Sequence, residues 1–207
     1  MDPFIRQRNL LGLRSRSALK LREMDDRFKF LPTARVLVDL GCAPGGFLQI
    51  AAERMKHKSS LLVGVDLEQV DEIGPNVKLV RGDFTSPATQ DIIVEHLAGR
   101  SVDGVLSDCA PNACGDPFVD GARQLHLARQ AWSFAEVRLG VGPGSFFICK
   151  VFANGEEKAF ADDVKRRFSL VKLVKPASSR SESREVFLYA RGLMPLKKAS
   201  NDGMVKE

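Results

Sequence analysis

Arg35-Val-Leu-Val-Asp-Leu-Gly-Cys-Ala-Pro-Gly-Gly46 decides the architecture. A short apolar run closing on an acidic residue and a glycine reads as a buried strand feeding a glycine loop. A helix is predicted to follow over 47–55, so the loop sits between strand and helix. There backbone comes close to a ligand and larger side chains would obstruct it.

Outward from this unit the pattern repeats. Buried strands are predicted at 61–66, 77–81 and 102–108, with helical stretches between most of them. Leu125, Ala128, Trp132, Ala135 and Leu139 recur at helical spacing and predict a helix over 120–139. A strand at 145–152, a helix over 156–168 and strands at 170–175 and 186–190 complete the series. Upstream, Ser17, Leu19, Leu21, Met24 and Phe28 predict a short helix that carries Lys20 and breaks at Pro32. Alternating strands and helices imply an α/β fold: a mostly parallel seven-stranded sheet with helices on both faces and ligand loops at the carboxyl ends of the strands. The 207 residues suit one domain, read as 1–192 with a flexible tail at 193–207.

Composition narrows the class. With 44% hydrophobic and 28% charged residues, and no apolar run long enough for a membrane helix, no membrane role is expected. Four cysteines without a signal-peptide core predict a reducing compartment. The scattered His57, His96 and His126 supply no metal-ligand spacing beside Cys109 and Cys114, so no metal is expected. The net charge is +5, and Arg6, Arg8, Arg14, Arg16 and Arg22 crowd the first 22 residues. That is a polyanion contact or a solvated terminus.

Asp39, Asp66, Asp83 and Asp108 all fall at or just past predicted strand ends. Each alone reads equally well as a cap or turn residue; four around one glycine loop favour a binding crevice. Asp66 is placed to accept hydrogen bonds from both hydroxyls of an adenosine ribose. The loop lacks the Gly-x-Gly-x-x-Gly spacing of a pyrophosphate site and the Gly-Lys-Ser/Thr of a P-loop, which disfavours NAD and ATP. Asp39 suits a cationic ligand. S-adenosylmethionine, carrying a sulfonium and an ammonium, fits that acidic rim, with Asp83 reaching the adenine amino group or serving as a turn residue.

Five stretches carry a family likeness: Arg14-Ser-Arg-Ser-Ala-Leu-Lys-Leu21, Asp39-Leu-Gly-Cys-Ala-Pro-Gly-Gly46, Ser107-Asp-Cys-Ala-Pro-Asn112, Cys149-Lys-Val-Phe152 and Ser178-Ser-Arg-Ser-Glu-Ser-Arg-Glu-Val186. Together, and in order over about residues 2–192, the chain resembles the FtsJ-like 2′-O-methyltransferases of large-subunit ribosomal RNA. The resemblance implies a Rossmann-like S-adenosylmethionine-dependent methyltransferase fold whose last strand runs antiparallel. It puts the family's catalytic Lys, Asp, Lys and Glu on Lys20, Asp108, Lys150 and Glu185. It implies cofactor contacts from Gly45, Phe47, Asp66, Asp83 and Asp108, to which the loop and strand-end reading adds Asp39, Gly41, Pro44, Gly46 and Phe84. Phe47 stands where bacterial members usually have tryptophan. Met1-Asp-Pro-Phe-Ile5 resembles the mitochondrial branch, implying the mitochondrial matrix, with cytoplasm or nucleus as alternatives.

The residue types suit the implied chemistry. A ribose 2′-hydroxyl is a poor nucleophile that must be oriented and relieved of its proton. Lys150 can be that base only when neutral. Lys20 and the sulfonium disfavour another positive charge beside them, while Asp108 and Glu185 oppose this and orient both lysines. Lys150 interrupts the apolar run Phe146-Phe-Ile-Cys149, where a lysine is otherwise costly. Cys149 should face the other side of that strand. Lys20 and Glu185, taken singly, read as a solvated helix lysine and a surface residue.

The expected activity is 2′-O-methylation of a uridine in large-subunit ribosomal RNA, by a monomer acting on the subunit or its precursor. Transfer RNA methylation, base methylation through Cys109 and a catalytically silent ribosome-assembly factor are the alternatives. RNA contacts are expected at Arg14, Arg16, Arg22, Arg180 and Arg184, with Lys175 nearby. One Trp and one Tyr make a large stacking platform improbable.

Overall fold

The apolar run of the opening unit becomes β1 (Val36–Leu40), every residue of which is buried. The structure, a computed structural model, describes residues 3–196. A run buried on both faces belongs in the middle of a parallel sheet. β1 pairs in parallel with β2 (Leu61–Asp66) on one side and β4 (Gly104–Ser107) on the other. β3 (Val77–Arg81) continues beyond β2 and β5 (Gly142–Phe152) beyond β4, both parallel. β7 (Glu185–Leu193) then pairs antiparallel with β5, and β6 (Phe168–Val174) antiparallel with β7. The seven-stranded order is β3-β2-β1-β4-β5-β7-β6, so the expected mostly parallel sheet with an antiparallel last strand is what forms.

Helices α1 (Pro3–Leu10), α2 (Ser17–Phe28), α3 (Gly46–Arg54), α4 (Pro87–Leu97), α5 (Pro117–Arg138) and α6 (Glu156–Lys165) accompany it. Strand alternation divides the core into two layers. Val36, Val38 and Leu40 of β1, with Phe147, Cys149 and Val151 of β5, pack against Ile93 of α4, Ala131 of α5 and Phe160 of α6. Leu37, Phe146 and Ile148 face the other way, onto Leu21 of α2 and Leu48 of α3. Cys149 is thus a core residue, and the intervening Lys150 takes the α2–α3 side.

Several boundaries differ from the sequence reading for identifiable reasons. α5 starts three residues earlier than residue 120, because the Asp116 side chain accepts hydrogen bonds from the Phe118 and Val119 N–H groups and Pro117 takes the first turn. α6 stops at Lys165, since the buried Phe168 already belongs to β6. α1 was not predicted; none of its residues is buried, so no apolar period marks it. The expected tail at 193–207 is shortened by Leu193, a buried residue of β7; from residue 197 on it lies outside the described residues.

The helix that carries Lys20 is tied down at its far end. Asp25, 1% exposed, accepts hydrogen bonds from the Phe30 and Leu31 N–H groups and from Arg54 Nη1 at 2.8 Å. Below it Phe28 stacks on Tyr189 with ring centroids 4.2 Å apart, and Phe30 packs on Phe146 at 4.8 Å. α2 is therefore fixed to α3, to the chain that follows it and to the sheet.

Candidate active site

The four candidate catalytic residues form two lysine–carboxylate pairs. Lys150, 7% exposed near the end of β5, donates to the backbone oxygen of Asp108 at 2.8 Å. Its Nζ lies 3.1 Å from Asp108 Oδ1, a close ion pair without hydrogen-bond alignment. A buried amine in an apolar strand needs such partners. The Ser107–Cys149 register of β4 and β5 sets the two strands side by side. Lys20 of α2 donates to Glu185 at the start of β7. The Lys20 Nζ also stands 5.7 Å from the ring centre of Phe187, the cross-strand partner of Lys150. The two pairs thus meet across one strand pair.

Residues that the sequence reading passed over hold these pairs in place. The Gln124 side chain, 1% exposed on α5, donates to the backbone oxygens of Lys150 at 2.8 Å and Cys109 at 3.1 Å. It therefore joins the strand bearing Lys150 to the loop bearing Asp108. On α2, Arg16 Nε donates to the Ser178 oxygen at 2.9 Å, and Glu23 accepts from the Ser178 N–H at 3.0 Å. That clamp fixes the segment leading to Glu185 against the helix bearing Lys20. A glutamine or glutamate among many polar helix residues gives no sequence signal of such a role.

Beside the pairs lies a cavity of about 490 Å3 whose wall includes Gly41, Asp66, Asp83, Phe84 and Asp108. That volume is in the range of small-molecule sites, roughly 300 to 1,000 Å3. Asp66 accepts hydrogen bonds from the Ala43 N–H at 2.8 Å and the Glu68 N–H at 2.9 Å, which fixes the glycine loop to the end of β2. Asp83 accepts from Thr85 N–H and Oγ1, so it is a turn residue as well as part of the wall. Asp39, fully buried, has no hydrogen-bond partner on either carboxylate oxygen. Burial, with Asp108 and Asp66 adding repulsion, raises its pKa well above the usual carboxylate range. A buried acid without a partner, among two more carboxylates, is matched by a cationic ligand, and the sulfonium and ammonium of S-adenosylmethionine meet that requirement.

Part of the expected cofactor set lies elsewhere. Asp39, Pro44, Gly45, Gly46 and Phe47 are not part of the cavity wall. Phe47 is buried and packs 6.2 Å from Phe187. Gly45 has φ +103°, and a Cβ on Gly46 would lie 2.0 Å from Ser15 Oγ. The small residues here admit the 14–15 segment, which lies over the loop where a ligand contact was expected. Arg14 is corrected with them: its guanidinium donates to the Asp71 and Glu72 oxygens at 2.8 and 2.6 Å and staples that segment down. Arg22 is two residues from Lys20 on α2, hence on another face of the helix. Arg16 and Arg180 line a groove with Lys175 and Glu182, and Arg184 lines another cavity.

The thiols of Cys109 and Cys149 are poor nucleophiles. Cys109 is pushed up to about 11, chiefly by burial, and its Sγ donates to the Leu40 oxygen at 3.2 Å. Burial raises Cys149 as well. A covalent cysteine route therefore lacks its thiolate at neutral pH. Among the described residues no group of three or more His, Cys, Asp or Glu side chains is arranged to hold a metal ion.

The profile of the FtsJ-like methyltransferases matches residues 13–193, nearly the full described chain. The chain belongs to the FtsJ-like methyltransferase family. It is 40% identical over 202 residues to ribosomal RNA large subunit methyltransferase E of Halorubrum lacusprofundi, covering 97% of this chain and 74% of that protein. The protein of the same name from Granulibacter bethesdensis is 41% identical over 197 residues, covering 94% and 81%. A crystal structure described as a ribosomal RNA methyltransferase of Plasmodium falciparum superposes with a TM-score of 0.78 at 28% identity, covering 87% of this chain and 98% of that one. The fold and the family therefore agree.

Proposed function

We propose that this protein transfers a methyl group from S-adenosylmethionine to the ribose 2′-oxygen of a uridine in large-subunit ribosomal RNA. The observation that carries the reading is the meeting of Lys150–Asp108 and Lys20–Glu185 beside an acidic cavity. The names of the relatives support ribosomal RNA as the substrate.

Asp66 and Asp83 would hold the adenosine end of the cofactor, with Asp108 facing its positive charges and the buried Asp39 adding negative potential from behind the wall. S-adenosylmethionine, when bound, supplies an electrophilic methyl group on sulfur. Lys150 orients the ribose 2′-oxygen and, in its neutral form, takes its proton; Asp108 aims the Lys150 amine through the 2.8 and 3.1 Å contacts. Glu185 fixes Lys20, whose charge lies beside the reacting oxygen and favours the developing alkoxide. The protein acts as a monomer on the large subunit or its precursor, in the mitochondrial matrix, a location supported by the likeness of residues 1–5 to that branch of the family.

Incubation with methyl-labelled S-adenosylmethionine and undermodified ribosomal and transfer RNA, followed by nucleoside analysis, tests the reading. Label in 2′-O-methyluridine of large-subunit RNA is expected. Label confined to transfer RNA would replace the substrate, and label in a base, or none, would overturn the reading.

A further inference from the structure

Beyond Asp108 the same loop leaves the cofactor cavity and forms one wall of a second, smaller one, of about 270 Å3. Pro111, Gly115 and Pro117 line one side of it; Phe152, Ser183 and Arg184 line the other. Phe152 is two residues past Lys150 on β5 and pairs in register with Glu185. The Arg184 oxygen accepts from the Ala153 N–H at 2.7 Å, which closes that wall. Asp108 borders the first cavity and Pro111, three residues on, the second, while Arg184 and Phe152 in the second wall are the chain neighbour and the cross-strand partner of Glu185.

The small cavity is shaped in advance. Asp120, also in its wall, accepts hydrogen bonds from the Cys114 N–H at 2.8 Å and the Gly115 N–H at 3.2 Å. This sets the loop's course and engages the one carboxylate in the wall. Arg184 is exposed, and among the described residues no carboxylate pairs with it. Phe152 is half-buried at the mouth, whereas the lone Trp132 is used up in packing on Phe147 and Phe168. The volume lies just below the roughly 300 Å3 at which drug-sized pockets begin. It suits one nucleobase and not a stacked pair.

We infer that this cavity receives the base of the acceptor nucleotide, stacked on Phe152, with Arg184 holding a neighbouring phosphate. The inference rests on the reading of the protein as a ribose methyltransferase and adds to it that the acceptor is an unpaired or flipped-out nucleotide. Base and ribose then enter from the side opposite the cofactor, and the 2′-oxygen comes to Lys150 between the two cavities. Splayed bases stacked on aromatic rings are the usual form of single-stranded RNA recognition, and one ring can serve one base without a larger platform.

The test uses the whole protein with an in vitro transcript of large-subunit ribosomal RNA carrying 5-iodouridine, irradiated and mapped by peptide. An adduct on Phe152 is expected. In methylation assays Phe152→Ala should raise the KM for RNA about tenfold, the loss of one base–aromatic stack. Cofactor binding should stay unchanged, because Phe152 lines the second cavity and not the cofactor cavity. Phe152→Tyr should behave as wild type, and Arg184→Ala should give a smaller, salt-dependent loss. Adducts mapping only elsewhere, or an unchanged KM in Phe152→Ala, would overturn the inference. A Phe152 adduct from a protein that methylates no ribose would sink the proposed function and leave the RNA subsite standing.

Discussion

Lys150 and Asp108 hang from two adjacent strands of the parallel sheet, whereas Lys20 and Glu185 join an N-terminal helix to the first residue of an antiparallel strand. The first pair takes its geometry from sheet register and from Gln124, all in the buried interior. The second depends on a clamp of three hydrogen-bonding residues, the part-buried Arg16 and Glu23 and the fully buried Ser178, which ties α2 to the segment leading into β7. The difference teaches that a rigid sheet end places the group that touches the reacting oxygen. The supporting charge comes from a helix and a strand start, distant in sequence, that are joined by hydrogen bonds to main-chain atoms.

Substitutions can break that comparison. The largest expected effect is from Lys150→Ala, which should lower kcat by about 10²- to 10⁴-fold, the usual contribution of a general base, while equilibrium dialysis shows cofactor binding intact. Lys20→Ala should cost roughly tenfold, the loss of one part-buried electrostatic contact of about 1.4 kcal/mol; equal losses in the two variants would erase the distinction between the pairs.

Gln124→Leu leaves two buried carbonyls without their donor and should cost about 1–3 kcal/mol in denaturant unfolding, with a fall in kcat and little change in the KM for RNA. Glu23→Ala sharpens the comparison from the other side. Removing a charged acceptor from the buried Ser178 N–H should cost about 1.5–3 kcal/mol, and steady-state kinetics should show a several-fold lower kcat while Lys150-dependent catalysis persists. A larger kinetic loss in Glu23→Ala than in Gln124→Leu would show that the helix clamp, and not the sheet end, places the reacting groups.

The smallest expected effect has an uncommon sign. Asp39 has a raised pKa in the folded protein, so folding takes up a proton relative to the unfolded chain. Stability without cofactor then falls as pH rises from about 4, the ordinary aspartate value, toward the folded pKa. Asp39→Asn removes that loss. Thermal unfolding of the cofactor-free variant at neutral pH should therefore occur above wild type, with the difference vanishing near pH 4, while S-adenosylmethionine binds less tightly. A variant less stable at neutral pH would show that Asp39 already has a partner.

Much of this was legible in the sequence because burial writes itself as pattern. β1, β2 and β5 are mostly apolar runs, and a lysine inside the last of them, Lys150, betrays itself by its cost. Lys20 and Glu185 are 165 positions apart, and only the family likeness joined them. Gln124 and Glu23 act on backbone oxygens and N–H groups, which leave no mark on the partner's identity. The same reason undid Arg14: a basic residue bound to main-chain carbonyls reads in sequence like one that awaits a phosphate. Gly45 and Gly46 read as a ligand cradle, yet the structure uses their smallness to admit Arg14 and Ser15.

The central claim is that Lys150 acts on a ribose 2′-oxygen, and alkaline hydrolysis of undermodified large-subunit RNA, incubated with S-adenosylmethionine and either wild-type protein or Lys150→Ala, tests it most directly. The expected result is one new alkali-resistant linkage, at a uridine, with wild type and none with the variant at matched cofactor occupancy. An equally resistant linkage with Lys150→Ala, or methyl incorporation that leaves every linkage alkali-labile, would contradict it.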